Sequence, residues 1–211
     1  MAFKPAGLPV QADLTGDMPL MTLLEQYCKQ TLLPINRIDR PVSGLVLLAK
    51  TKAAAAELNR QFAERTAKKT YLAVVKNLPE AAEGELVHYI KKSSQDKNIS
   101  KAYPTEQKNA EKGILYYQHC GSSTTYHLLK VNLLTGRHHQ IRAQLAAIGS
   151  PVKGDVKYGF RRSNDDRSIH LHAWRLSFDH PATGERLNFT APISATDPVW
   201  LAFTDDIAKI V

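Results

Sequence analysis

The sequence predicts one α+β domain. Three observations point there. Runs with helical spacing of apolar residues alternate with β-branched runs, and turn residues join the later runs as a hairpin would. No Gly/Ser linker, internal repeat or low-complexity stretch divides the 211 residues. A chain of this length buries a substantial core as a single larger domain.

"KPAGLPV" (4–10), with two prolines and a glycine, predicts an extended, turn-rich entry. "PLMTLLEQYCKQ" (19–30) sets Leu20, Leu23, Leu24 and Tyr27 at helical spacing. Pro34 is expected to end that helix, leaving 35–44 as an irregular loop into a strand over 45–49. Thr51 suits the N-cap of "KAAAAELNRQFAER", where Ala54, Ala55, Leu58 and Phe62 form one apolar stripe. "KKTYLAVVKN" (68–77) and "YHLLKVNLL" (126–134) predict strands. Between them, 80–112 is polar and lysine-rich and reads as hairpins and loops rather than core. Its Lys91, Lys92, Lys97 and Lys101, with Tyr89 and Tyr103, suit a polyanion contact and, more commonly, a solvated loop. "HHQIRAQLAAIG" (138–149) predicts a helix with Ile141, Leu145 and Ile148 on one face and Gly149 at C′. "SIHLHAWRLSFDHPATGERLNFTAP" (168–192) predicts a β-hairpin turning through "HPATGE".

Lys plus Arg number 28 against 20 Asp plus Glu, a formal charge of +8 that favours a polyanionic partner. Cys28 and Cys120 are far apart in sequence, which predicts free thiols and neither a disulfide framework nor a zinc site. "MAFKPAGLPVQADL" is no signal peptide, and no apolar run approaches the ~18–20 residues of a membrane span, so a cytoplasmic protein is expected. A Gly-rich phosphate loop, a Cys-x-x-Cys pair and a nucleophile elbow are all missing, and no cofactor is expected.

Three constellations carry possible chemistry. In "LPINRIDRPVSGLVLLAKT" (33–51), Asp39 sits between Arg37 and Arg40, just before the most apolar run of the chain. On an extended backbone Arg37 and Asp39 share a side and Arg40 faces away. The adjacent cations favour a carboxylate, which is a nucleophile or base rather than an acid, or else half of a structural Arg–Asp pair pinning a loop. In "LTGRHHQIR" (134–142), Gly136 permits a tight turn that leaves Arg137, His138, His139, Gln140 and Arg142 near a helix N-terminus. Arg142 is placed to reach a buried carboxylate. Neighbouring helix positions point apart, so His138 and His139 do not make a metal site. In "KKTYLAVV", Tyr71 behind Lys68 and Lys69 suits stacking on a base, or simple packing at the core edge. His170 and His172 alternate onto one strand face and read as structural or substrate-lining.

"NRIDRPVSGLVLLAKT" resembles the His-Arg-Leu-Asp-Arg-x-Thr-Ser-Gly-Leu signature of the RluA-type pseudouridine synthases, in the RluA/RsuA family. "TGRHHQIRAQLAAIGSPVKGDVKYG" resembles their Gly-Arg-Thr-His-Gln-Ile-Arg segment and the Gly-Asp-x-x-Tyr-Gly block that follows. "KPAGLPV", "KKTYLAVV" and "LHAWRLSFDHPATGERLNFTAP" match three further blocks in order, so the resemblance runs from Lys4 to about Pro192. Asn36, Val42 and His138 depart from the usual His, Thr and Thr.

The resemblance implies one catalytic domain over 1–211, with a mixed, mainly antiparallel central sheet, flanking helices and a central basic cleft. The first strand is expected to be shortened, with no separate N-terminal RNA-binding module. The resemblance also implies an isomerase that turns uridine in rRNA or tRNA into pseudouridine, without a cofactor or metal, as a monomer. It assigns catalysis to Asp39, the uracil pocket to Tyr71, orientation of Asp39 to Arg142, and the space left by the flipped nucleotide to Arg37. Arg40, Arg137 and Lys69 join Arg37 as candidate RNA-binding residues. A silent RNA-binding protein and a base-excising N-glycosylase would share the basic surface, and the latter the aspartate.

Overall fold

The computed structural model describes residues 1–13, 15–93 and 98–210, so Lys97 of the lysine-rich segment lies outside the described residues. The first half contains β1 (Ala2–Lys4), α1 (Leu20–Cys28), β2 (Leu33–Pro34), β3 (Ser43–Val46), β4 (Leu48–Ala49), α2 (Lys52–Ala63), β5 (Lys68–Val75), β6 (Glu83–Lys92) and β7 (Ser100–Tyr103). The second contains β8 (Glu111–Ser122), β9 (His127–Leu133), α3 (Gln140–Ala147), a 3-10 turn (Val156–Tyr158), β10 (Leu171–Asp179), β11 (Arg186–Thr190), α4 (Pro198–Leu201) and α5 (Thr204–Lys209).

Among the described residues, nine strands form one sheet in the order β1-β3-β10-β5-β9-β8-β6-β7, with β11 on β10; β2 pairs with β4 outside it. The named pairings are antiparallel except β3 with β10, giving a mixed, mainly antiparallel sheet. Along one edge β10 changes partner: His172 and Ala173 pair with β3, then Arg175 to Asp179 pair with β11. The register against β5 shifts between Ala173 and Arg175 at the same place. The parallel contact depends on Gly44, which has φ 122° and whose added Cβ would overlap the backbone of Ala173. Gly44→Ala is therefore expected to cost about 3 kcal/mol or more, read as a lower urea midpoint at unchanged m.

Three apolar clusters hold the layers together. On one sheet face, Tyr71, Ala73, Leu115, Val131 and Ala173 pack with Ile141 and Leu145 of α3. At the β3–β4 end, Leu45, Leu47, Leu176 and Phe178 pack with Ala55 and Leu58 of α2. On the opposite face, Leu72, Val74, Leu128 and Trp174 receive Trp200, Phe203 and Ile207 from the C-terminal helices. The period-two alternation of β5 thus sends Tyr71 and Leu72 to different layers.

Thr51 caps α2 as expected, its hydroxyl accepting the Ala54 N–H at 3.1 Å. Gly149 follows α3 with φ 78°, and Ser150 N–H closes onto the Leu145 carbonyl at 2.9 Å. Other boundaries differ from expectation. α1 ends at Cys28 with Lys29 left-handed (φ 52°), well before Pro34, which lies in β2. The expected strand over 45–49 is two strands in two sheets, because Leu47 turns its backbone to Asn36 (2.6 Å) and Ile35 (2.9 Å). α3 starts at Gln140 rather than 138, since His139 is left-handed (φ 53°). The segment 80–112 does form hairpin strands, while β8 is a long strand that apolar alternation did not announce.

Candidate active site

Asp39 lies in the loop between β2 and β3, its side chain 28% exposed. The loop is turned rather than extended: the Asp39 carbonyl accepts Val42 N–H at 3.0 Å, and the Arg40 carbonyl accepts Gly7 N–H at 2.8 Å. Beneath it Lys4 is wholly buried and donates from Nζ to the carbonyls of Pro5 (2.9 Å), Leu8 (2.7 Å) and Arg40 (3.1 Å). Burial pulls this ammonium down to about 8, against the opposing charge of Asp39. Asn36 takes a structural part, bonding the backbone of Leu47 and Leu45.

The cations next to Asp39 in sequence face elsewhere. Arg37 is exposed and donates to Gln11 Oε1 at 3.1 Å. Arg40 bonds the Gly7 carbonyl at 2.9 Å and is paired with Asp13 and Asp17, which makes it a tie within the loop. The turn at Asp39 breaks the alternation that an extended backbone would have given.

The partner of Asp39 comes from α3. Arg142 is 3% exposed and donates from Nη1 to Asp39 Oδ2 at 3.0 Å. Its Nε and Nη2 make a two-pronged bond to Asp155, at 2.6 and 2.8 Å, and Asp155 is itself buried. Burial opposes the guanidinium charge, but the bonds and charge of Asp155, then Asp39, outweigh it and raise its basicity. The Arg142 guanidinium also lies over the Tyr158 ring, 4.8 Å from the centroid. Two buried glutamines anchor α3 to the sheet. Gln140 accepts from Thr135 Oγ1 (2.8 Å), and Gln144 donates to the Leu86 carbonyl (3.0 Å).

His138 and His139 do not point apart. Because His139 is left-handed, the two rings stack with centroids 3.9 Å apart and planes 18° from parallel. His139 Nε2 lies 3.5 Å from Asp39 Oδ2. Burial pushes His139 down to about 2, helped by the charges of Arg142, His138, Lys157 and Lys92. Tyr71 is buried in the same cluster as Ile38 and Ile141, the sequence neighbours of Asp39 and Arg142. Burial, then the Asp39 charge, pushes its phenol well above the ordinary range. Lys69 is half-buried, its Nζ 5.4 Å from the Phe62 ring centroid, and burial followed by the Arg137 charge lowers it to about 8. Arg137 bonds Glu111 at 2.7 Å and the Lys112 carbonyl at 3.1 Å.

His170 and His172 are both buried and each meets a polar side chain. His170 meets Asp197 at 3.1 Å, and His172 Nδ1 meets Ser43 Oγ at 2.8 Å. Burial lowers the basicity of both, of His172 to about 4. Below the ordinary histidine value of about 6.5 the unfolded chain takes up protons that these native rings and His139 refuse. The stability they contribute above that value is therefore lost as pH falls toward their native values. The urea midpoint is expected to be lower at about pH 5 than at about pH 7.5; equal midpoints would mean that the rings are charged when folded.

Lys4, Asp155 and Tyr158 were not singled out by sequence reasoning, and His139 was noted without its place beside Asp39. The available signal was that a buried arginine sharing a half-exposed carboxylate needs a second acid, and "KGDVKYG" supplies one.

A family model described as RNA pseudouridylate synthase matches residues 1–147. An uncharacterized RNA pseudouridine synthase of Bacillus subtilis is 36% identical over 201 residues, covering 90% of this chain and 64% of that protein. A tRNA pseudouridine synthase C of Vibrio parahaemolyticus is 31% identical over 214 residues, covering 92% of this chain and 86% of that one. Human RNA Pseudouridylate Synthase Domain Containing 4 shares the fold, with a TM-score of 0.72 at 24% identity over 98% of this chain and 88% of that one. The matched residues contain the Asp39 loop, Tyr71 and Arg142, and in this chain Arg142 bonds Asp39. On these grounds the chain belongs to the RNA pseudouridylate synthase family.

Proposed function

We propose that the chain isomerises uridines in structured RNA to pseudouridine, with Asp39 acting on the ribose. The observation that carries this reading is one half-exposed carboxylate, tied at a single oxygen by a buried arginine and close enough to buried Tyr71 for its charge to act on the phenol. In the reaction the N1–C1′ bond breaks, the uracil rotates, C5 bonds C1′, and the C5 proton leaves while N1 gains one. The change is redox-neutral and consumes no cosubstrate.

A uridine in a stacked helix does not expose C1′, so the nucleotide has to be flipped out. Asp39 either attacks C1′ or removes the 2′ proton. Tyr71 forms one wall of the uracil pocket. Arg142 orients Asp39, and exposed Arg37 enters the gap in the RNA stack. Lys69 and Arg137 border the RNA path. Arg40, held by Asp13 and Asp17, shapes the loop instead of binding RNA. Residues 1–211 act as one catalytic domain, a monomer in the cytoplasm. Among the described residues no helix is long and apolar enough to cross a membrane. The Vibrio relative is named for tRNA, which makes tRNA the first substrate to try and rRNA the second.

The test uses tRNA and rRNA transcripts labelled with tritium at uridine C5. Tritium release together with pseudouridine in the nuclease digest supports the reading. Free uracil with an abasic site would make the protein a glycosylase, and binding without product would make it a silent RNA binder. RNA affinity should fall with salt at a log–log slope of about −0.7 per phosphate contacted on single-stranded RNA.

A further inference from the structure

The donors around Asp39 converge on one oxygen. Arg142 Nη1 is 3.0 Å and His139 Nε2 3.5 Å from Oδ2, and among the described residues no hydrogen bond reaches Oδ1. The other nitrogen of His139, Nδ1, is 2.9 Å from the Tyr158 hydroxyl. That hydroxyl already accepts the N–H of Ser100 at 2.8 Å. Its own proton has Nδ1 as the acceptor at hand, which leaves the imidazole proton on Nε2, facing Asp39. The ring has little freedom. It is stacked on His138 and edge-on to Tyr158, with centroids 5.7 Å apart, and His138 is held by Ser100 Oγ at 2.8 Å.

We infer that His139 is a positioning residue for Asp39: its Nε2–H, fixed by Tyr158 and through it by strand β7, holds Oδ2 so that Oδ1 stays bare toward the ribose. The inference rests on the assignment of Asp39 above. A neutral donor suits the task, because it aims the carboxylate without adding a second full positive charge that would blunt it. Burial and the nearby charges of Arg142, Lys157 and Lys92 keep the ring neutral. The 3.5 Å separation is open enough to tighten when a nucleotide closes the site.

The test compares three variants with the wild type. His139→Asn accepts a left-handed backbone but is too short to reach Asp39. It is expected to lose about 10- to 100-fold in kcat with KM little changed, the size of one hydrogen bond to a charged group once the 3.5 Å contact closes in the complex. His139→Gln, whose Nε2 occupies the place of the histidine Nε2, should restore part of that loss. Tyr158→Phe should fall between them.

Side-chain nitrogen NMR supplies a reading independent of turnover. Wild type should show the Nε2–H tautomer, Tyr158→Phe should release it to a mixture, and Asp39→Asn should shift the Nε2–H resonance. A folded His139→Asn with wild-type kcat, an Nδ1–H tautomer, or a resonance indifferent to Asp39→Asn would each overturn the inference. A wild type that makes no pseudouridine would instead defeat the assignment of Asp39, and the spectra would still decide whether His139 holds that carboxylate.

Discussion

Asp39→Asn is expected to stop pseudouridine formation while leaving the fold in place. Asparagine has nearly the same shape, but it carries no charge and is neither an effective nucleophile nor a base. Loss of a catalytic carboxylate costs at least about 10³-fold in turnover. The fold should barely respond, because the side chain is 28% exposed and lies outside the apolar clusters. Arg142 also keeps both bonds to Asp155 after the change. A stability difference within about 1 kcal/mol is expected, as for other partly exposed ion pairs. RNA binding should persist, since no basic side chain is altered. Tritium release, a thermal melt and filter binding on one preparation separate these effects. Undiminished product would remove Asp39 from the chemistry.

Asp155→Ala is expected to cause the largest loss of stability. It leaves the Arg142 guanidinium, 3% exposed, without its two-pronged partner. Breaking a buried pair from one side costs roughly 3–5 kcal/mol, because the remaining charge stays out of water uncompensated. For a domain of this size that corresponds to a drop of about 6–20 °C in Tm. Turnover should fall as well, even in the folded fraction, since Arg142 is free to rotate away from Asp39. Asp155→Asn keeps one acceptor oxygen and should lie between Ala and wild type. A Tm within about 2 °C of wild type would mean that solvent or another residue satisfies Arg142, and the orienting role of Asp155 would fail.

Much of this arrangement was legible in local pattern. The strand at β5, the hairpin of β10 and β11, the Thr51 cap and the Gly149 terminus all follow from spacing and turn chemistry that act within a few residues. Arg142 was legible too, since its place beside the apolar stripe of α3 aims it inward. Features set by long-range pairing were not. Asp155 meets Arg142 across the loop that follows α3, and Lys4 meets the Arg40 carbonyl 36 residues further along the chain. β8 was obscured by Gly113, Gly121 and a register shift between His119 and Gly121, which spoil the alternation. Proximity in sequence misled in two places. Arg37 and Arg40 flank Asp39 without bonding it, because the chain turns there. His138 and His139 stack, because one left-handed residue swings the second ring back onto the first.

Strand β5 offers Tyr71 to the α3 side, where the uracil is proposed to lie, and Leu72 and Val74 to Trp200, Phe203 and Ile207. The proposed wall of the pocket and the seat of the C-terminal helices are consecutive residues of one ribbon. Strain applied from behind, by trimming those aromatic side chains or crowding them with a fused partner, therefore reaches the α3 face without crossing any intervening layer. Sites distant from the chemistry by sequence number are, mechanically, its next-door neighbours.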